Sequence, residues 1–173
     1  MKRVVAILSL ALLAACHPGP KPGGTAQTAA KTTVSQETKS AGMVTHNAIE
    51  FTAYAMRPTL GNNTTTGAYV TIRNSGDVAD RLVSARCVCA TSATLHTMTM
   101  KNGTMEMAEQ KDGFVIAPGQ SVIFAPGGNH IMLENAKGVT EGSHQELVLH
   151  FEKAGDVKLS VPVTNDIPAG HTM

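Results

Sequence analysis

From Ala48 to Val163 the chain is a succession of short segments in which apolar and polar residues alternate, punctuated by Gly, Pro and Asn clusters. AIEFTAYAM, GAYVTIRN, RLVSARCVCA, ATLHTMTM, TMEMAE, FVIAP, SVIFAP, HIML, QELVLHFE and VKLSVPV follow this pattern. A period of two places successive side chains on opposite faces and predicts half-buried β-strands. Turn signals at Asn74-Ser75-Gly76, Asn102-Gly103, Pro118-Gly119, Pro126-Gly127-Gly128 and Ala154-Gly155 fall between the segments. No window sustains a 3.6-residue period with caps, and the one helical feature expected is a short turn around Glu134–Val139. The pattern therefore predicts an all-β sandwich or barrel. Residues 45–165, about 120 in number, suffice for one domain with its own core.

The amino-terminal pattern is different. Met1–Arg3 is a short positive region and Val4–Leu13 an apolar run too short to span a bilayer as a mature helix. Leu13-Ala14-Ala15-Cys16 has the form of a bacterial lipobox, so residues 1–15 are expected to be a lipoprotein signal peptide and Cys16 the acylated residue. Residue 17 is His rather than Asp, which slightly favours outer-membrane anchoring over inner-membrane retention. Residues 16–44 are rich in Pro, Gly, Thr, Ala and Lys and too poor in large apolar residues to offset their ordering entropy. They are expected to be a flexible tether with an r.m.s. reach of roughly 30 Å. Residues 166–173 are expected to be a flexible tail.

Candidate chemistry concentrates between Leu95 and Leu133. LHTMTMKNGTMEM and the downstream GGNHIML hold five of the nine methionines, together with His96 and His130. Thioether and imidazole donors without a carboxylate cage suit Cu(I). Asn102-Gly103 is the strongest short-range hairpin signal. Closed as a two-residue loop, it sets Met98 opposite Met107 and Met100 opposite Met105, with His96 on the same face. His130 and Met132 are also two apart and share a face. Met rows on strands are commonly packing, and this chain has no Trp and few aromatics, so core filling is the competing reading.

These residues resemble the signature of the PCu(A)C periplasmic copper chaperones. His96 and Met107 enclose ten residues, as in that family, and His130-Ile131-Met132 follows Pro126-Gly127-Gly128 as its second half. Met107 and His130 enclose twenty-two residues, one more than is usual there, and the extra residue is expected in the polar loop near Glu109–Gly113. The resemblance covers roughly Ala48 to Val163. It implies a cupredoxin-like Greek-key β-sandwich in which His96, Met107, His130 and Met132 bind Cu(I), with Met98 and Met105 in reserve. It also implies a periplasmic, monomeric carrier that gives copper to the copper subunit of cytochrome c oxidase or to a Sco-like thiol protein. A copper-buffering lipoprotein without a dedicated acceptor, and a metal-free interaction module with a Met-rich face, are the alternatives the sequence leaves open.

Other features bear on these readings. A blue-copper site needs a Cys thiolate beside two His, and the Cys residues beyond Cys16, Cys87 and Cys89, precede the Met cluster rather than sitting in the loop with His130. In an extended strand these two would be about 6.5–7 Å apart at Cα, at the edge of disulfide range. Two buried small hydrophobes, a disulfide across a bend, and an auxiliary Cu(I) or redox pair all remain open. His171-Thr172-Met173 repeats the HTM of His96–Met98 and could recruit metal, or be a chance match. His46, His144 and His150 have no partner spacing and are expected to be structural or solvated. A net charge of +1 offers no basic patch for nucleic acid. No nucleophile elbow, phosphate loop or acid pair near a His suggests an enzyme.

Overall fold

The computed structural model describes residues 43–167. The expected signal segment, the Cys16 lipidation site, the tether up to residue 42, and His171 and Met173 lie outside them.

Each alternating segment read from the sequence contains a strand. The described residues form β1 (Val44–His46), β2 (Ile49–Met56), β3 (Thr66–Asn74), β4 (Asp80–Cys87), β5 (Ser92–Lys101) and β6 (Thr104–Glu109). They continue with β7 (Phe114–Ile116), β8 (Ser121–Phe124), β9 (His130–Glu134), β10 (His144–Phe151) and β11 (Gly155–Pro162). One sheet runs β1-β2-β3-β9-β5-β6, with β8 also paired to β3; the other runs β11-β10-β4-β7. All pairings between strands are antiparallel. The all-β sandwich read from the sequence is the architecture adopted.

The inner faces close one core. Val157, Leu159 and Val161 of β11 are buried while Lys158 and Ser160 between them are exposed, the period of two in its plainest form. Phe51 of β2 meets Phe151 of β10 edge-to-face at 5.8 Å, and Phe114 meets Phe124 at 5.0 Å, so aromatic pairs join the two sheets. Leu95, Ile131 and Leu133 face the same core from β5 and β9. That burial determines which side of these two strands is left outside.

Four expectations are corrected by the structure. The helical turn around Glu134–Val139 does not form; after β9 the segment is an irregular loop held by Ala136 N–H to Thr64 O (2.7 Å) and Lys137 N–H to Cys89 O (2.8 Å), with Ala136 and Val139 buried. The strand expected over 81–90 ends at Cys87, where the chain turns. Val44, assigned to the tether, pairs with Phe51 in β1, because an apolar residue at the domain edge gains a ladder position there. The simple alternation of AIEFTAYAM is broken by a bulge between Thr52 and Ala55, with Ala53 at φ 49°, so that Ala55 and Met56 are both buried.

Candidate metal centre

The hairpin β5–β6 is built by its turn. Asn102 (φ 51°) and Gly103 (φ 79°) both take the left-handed region, as a two-residue primed turn between twisted strands demands. The register follows: His96 opposite Glu109, Met98 opposite Met107, Met100 opposite Met105, Lys101 opposite Thr104. Glu106, displaced to the other face by alternation, pairs with Lys101 at 3.7 Å.

Strand β9 adds to the other edge of β5, with His96 opposite His130 and Thr94 opposite Met132. It starts after the loop 125–129, which interrupts the line of β8 and β9 along β3 and is tied by Ala125 N–H to Asn129 O (2.8 Å). Because Leu95, Ile131 and Leu133 point inward, His96, Met98, Met107, His130 and Met132 share the outer face. The two imidazoles meet edge-to-face with centroids 5.6 Å apart and planes at 90°.

The closest contact among the soft donors crosses β5 altogether. His130 Nδ1 donates to the carbonyl of Gly128 at 3.1 Å, which fixes the ring so that Nε2 faces another partner. That nitrogen stands 3.1 Å from Met107 Sδ. The strands bearing the two residues flank β5, about 9.5 Å apart at the usual inter-strand spacing. Their side chains therefore converge over the central strand, and an imidazole nitrogen and a thioether sulfur meet there. Met107, rather than Met105, reaches this point.

His96 sits beside the contact in a state suited to the same use. Burial first, and the facing His130 second, push its pKa below the ordinary 6.5, against the opposing pull of Glu109 and Glu134. The ring is held in its neutral, electron-pair-donating form at neutral pH. Its Nδ1 is buried without a hydrogen-bond partner among the described residues, a deficit costing about 1–3 kcal/mol that a further ligand would relieve. Met132, half-buried, completes the row two residues from His130. On its other side it faces Gly67 of β3, and a Cβ there would meet Tyr69 Oη at 3.0 Å. The buried Tyr69 ring thus lies over the glycine and walls the Met132 end of the face, a role not read from the sequence although Gly67-x-Tyr69 carried the signal.

Among the described residues no three His, Cys, Asp or Glu side chains are grouped to hold a metal. A metal on this face must recruit thioether sulfur, and His96, Met107, His130 and Met132 can supply two imidazoles and two thioethers, a set suited to a soft monovalent ion. Met98 lies on the same face opposite Met107, while Met100 and Met105 lie further out and are exposed. Other candidates are elsewhere. Cys87 and Cys89 are joined as a disulfide, their Cα atoms 5.0 Å apart because the turn after β4 shortens the extended-strand distance. His150 donates through Nδ1 to Asp156 at 2.6 Å, beside the Arg86–Asp156 pair at 2.8 Å. His46 lies within 3.2 Å of the Asn47 amide, and His144 is exposed.

Residues 49–163 match the model of the LpqE-like family, described as "Putative lipoprotein LpqE-like". The "Putative lipoprotein Lxx21020" of Leifsonia xyli subsp. xyli is 36% identical over 99 residues, 57% of this chain and 60% of that protein, so the match spans less than two thirds of the relative. Among solved structures, the copper-bound PCuAC domain from PmoF2 superposes with a TM-score of 0.59 at 27% identity, covering 70% of this chain and 97% of that domain. The apo PCuAC domain from PmoF1 gives 0.60 at 25% identity, covering 73% and 99%. CuI-DR1885 from Deinococcus radiodurans, at 21% identity and a TM-score of 0.54 over 77% of this chain and 87% of that one, shares the fold.

Proposed function

This chain belongs to the LpqE-like family, and we propose that it serves there as an extracytoplasmic Cu(I) carrier, taking up one ion at His96, Met107, His130 and Met132. The observation that carries this reading is the convergence of His130 Nε2 on Met107 Sδ at 3.1 Å, over a strand that presents a neutral, under-bonded His96. The similarity to a copper-bound PCuAC domain supports the choice of ion.

The Gly128 carbonyl orients the His130 ring, so one ligand is held ready before the ion arrives. Met107 is about half exposed, at 49%, on an open sheet face. An incoming thiolate or thioether can therefore add to the ion before the donor's sulfur leaves, and transfer proceeds by ligand exchange with no uncoordinated intermediate. The protein is a carrier and not an enzyme. Cys16 holds it by acylation in the periplasm, with the outer membrane slightly favoured, and the domain works as a monomer. The acceptor is the copper subunit of cytochrome c oxidase or a Sco-like thiol protein, matching a site that releases copper to stronger sulfur donors.

Titration of the full chain with Cu(I) against a competing chromophoric chelator tests the reading. One equivalent should bind, and His130→Ala should weaken affinity by tenfold or more, about 1.4 kcal/mol. Unchanged affinity in His130→Ala rules the site out.

A further inference from the structure

Apart from the metal face, the bridge between Cys87 and Cys89 is a second reactive feature, and its surroundings do not fit a structural clamp. It encloses a single residue, so it removes less freedom from the unfolded chain than any longer loop would. The chain on both sides is already fixed by backbone pairing. Cys87 is in register with Leu147, Ala90 N–H reaches Cys87 O at 3.2 Å, and Cys89 O accepts from Lys137 N–H at 2.8 Å. Val88 between the two sulfurs is 93% exposed, so the turn that carries the bridge lies at the surface, with Cys87 seated in the core beneath it and Cys89 packed at the core's edge.

The two sulfurs are not equivalent. Cys87 is buried and Cys89 only half-buried. The backbone N–H of Cys89 donates to Cys87 Sγ at 3.2 Å. An N–H aimed at sulfur stabilises a thiolate there, the property that makes a good leaving group in disulfide exchange.

We propose that Cys87–Cys89 is an exchangeable disulfide that takes two electrons from a dithiol, with Cys89 the sulfur attacked and Cys87 the sulfur released. One thiolate of the dithiol attacks Cys89 Sγ; the Cys87–Cys89 bond breaks and Cys87 departs as a thiolate held by the Cys89 N–H. The dithiol's second thiolate, its proton lost to solvent, then attacks the sulfur of its own first thiol in the mixed disulfide and releases Cys89. The substrate leaves as a disulfide, oxidised by two electrons, and Cys87 and Cys89 remain as thiols once protonated by solvent.

The test uses the full chain, copper-free and natively folded, with dithiothreitol as the dithiol. Cleavage after Arg86 and Lys101 yields one peptide holding Cys87 and Cys89, apart from Cys16. Quenching with N-ethylmaleimide should label both thiols of that peptide. A peptide that stays unlabelled until the chain is unfolded would overturn the proposal. The reduced chain should melt within a few degrees of the oxidised one, whereas a large drop would make the bridge a structural clamp. With reduced glutathione as probe and a rapid acid quench, the mixed disulfide formed on the intact bridge should be trapped at Cys89 on the order of tenfold faster than at Cys87. Equal or reversed rates would overturn Cys89 as the attacked sulfur.

Discussion

Met105 and Met107 are chemically identical, half-exposed neighbours on one strand face, at 47% and 49% exposure, and the fold predicts that they differ sharply in copper binding. In the observed register Met107 lies opposite Met98 and touches His130 Nε2 at 3.1 Å, while Met105 lies opposite Met100. Two residues along an antiparallel strand displace the backbone by about 6.8 Å. A metal–sulfur bond is of the order of 2.3 Å, so Met105 cannot replace Met107 unless the hairpin slips. A slip would move Asn102 and Gly103 out of the turn that their positive φ angles serve. Met107→Leu should therefore lower Cu(I) affinity at least tenfold, about 1.4 kcal/mol, and Met105→Leu by no more than about twofold, about 0.4 kcal/mol. Leu conserves volume, and at exposed positions it should alter the stability of the apo chain by less than about 1.5 kcal/mol, which a thermal melt verifies. The assay is anaerobic competition with a chromophoric Cu(I) chelator. Equal losses in the two variants, or a larger loss in Met105→Leu, would refute the argument from register.

Three further outcomes are expected. Cys16→Ser should move the protein from the membrane fraction to the soluble one; a wild-type chain already soluble and starting at another residue would contradict acylation. The copper-loaded chain should be colourless as Cu(I), and Cu(II) should not produce the intense thiolate band of a blue-copper centre, since Cys87 and Cys89 are bonded to each other; such a band would make one of them a ligand. The His150 hydrogen bond first, and the Arg86 hydrogen bond second, hold the Asp156 carboxyl below its ordinary 3.8. Whatever stability this carboxylate contributes is present above pH 3.8 and lost as pH falls through its lowered folded value. In carboxyl-detected NMR titration, His150→Ala should raise the Asp156 midpoint toward 3.8, and an unmoved midpoint would exclude the hydrogen bond as its cause.

Features set by neighbours along the chain were legible before any tertiary contact was known. Strand periodicity is local, so the alternation of β10 and β11 showed which residues face inward. The Asn102-Gly103 turn is local too, because only residues tolerant of positive φ close a two-residue hairpin, and with it came the pairing of Met98 with Met107. The soft-donor composition was likewise legible. Contacts between distant segments, by contrast, emerge only from the assembled fold. No local signal places β9 against β5, yet that pairing sets His96 opposite His130 and lets His130 reach across to Met107. Whether Cys87-Val88-Cys89 continues a strand or turns was equally open locally. Backbone bonds from Ala90 and Lys137 resolve it in favour of the turn, and the two sulfurs come within bonding distance. The helical turn anticipated at Glu134–Val139 gave way for the same reason, since the backbone N–H groups of Ala136 and Lys137 pair with Thr64 and Cys89 rather than with their own neighbours. Local periodicity and turn chemistry act over a few residues, whereas the burial of apolar faces and the pairing of backbone groups are settled only when the whole sheet has assembled.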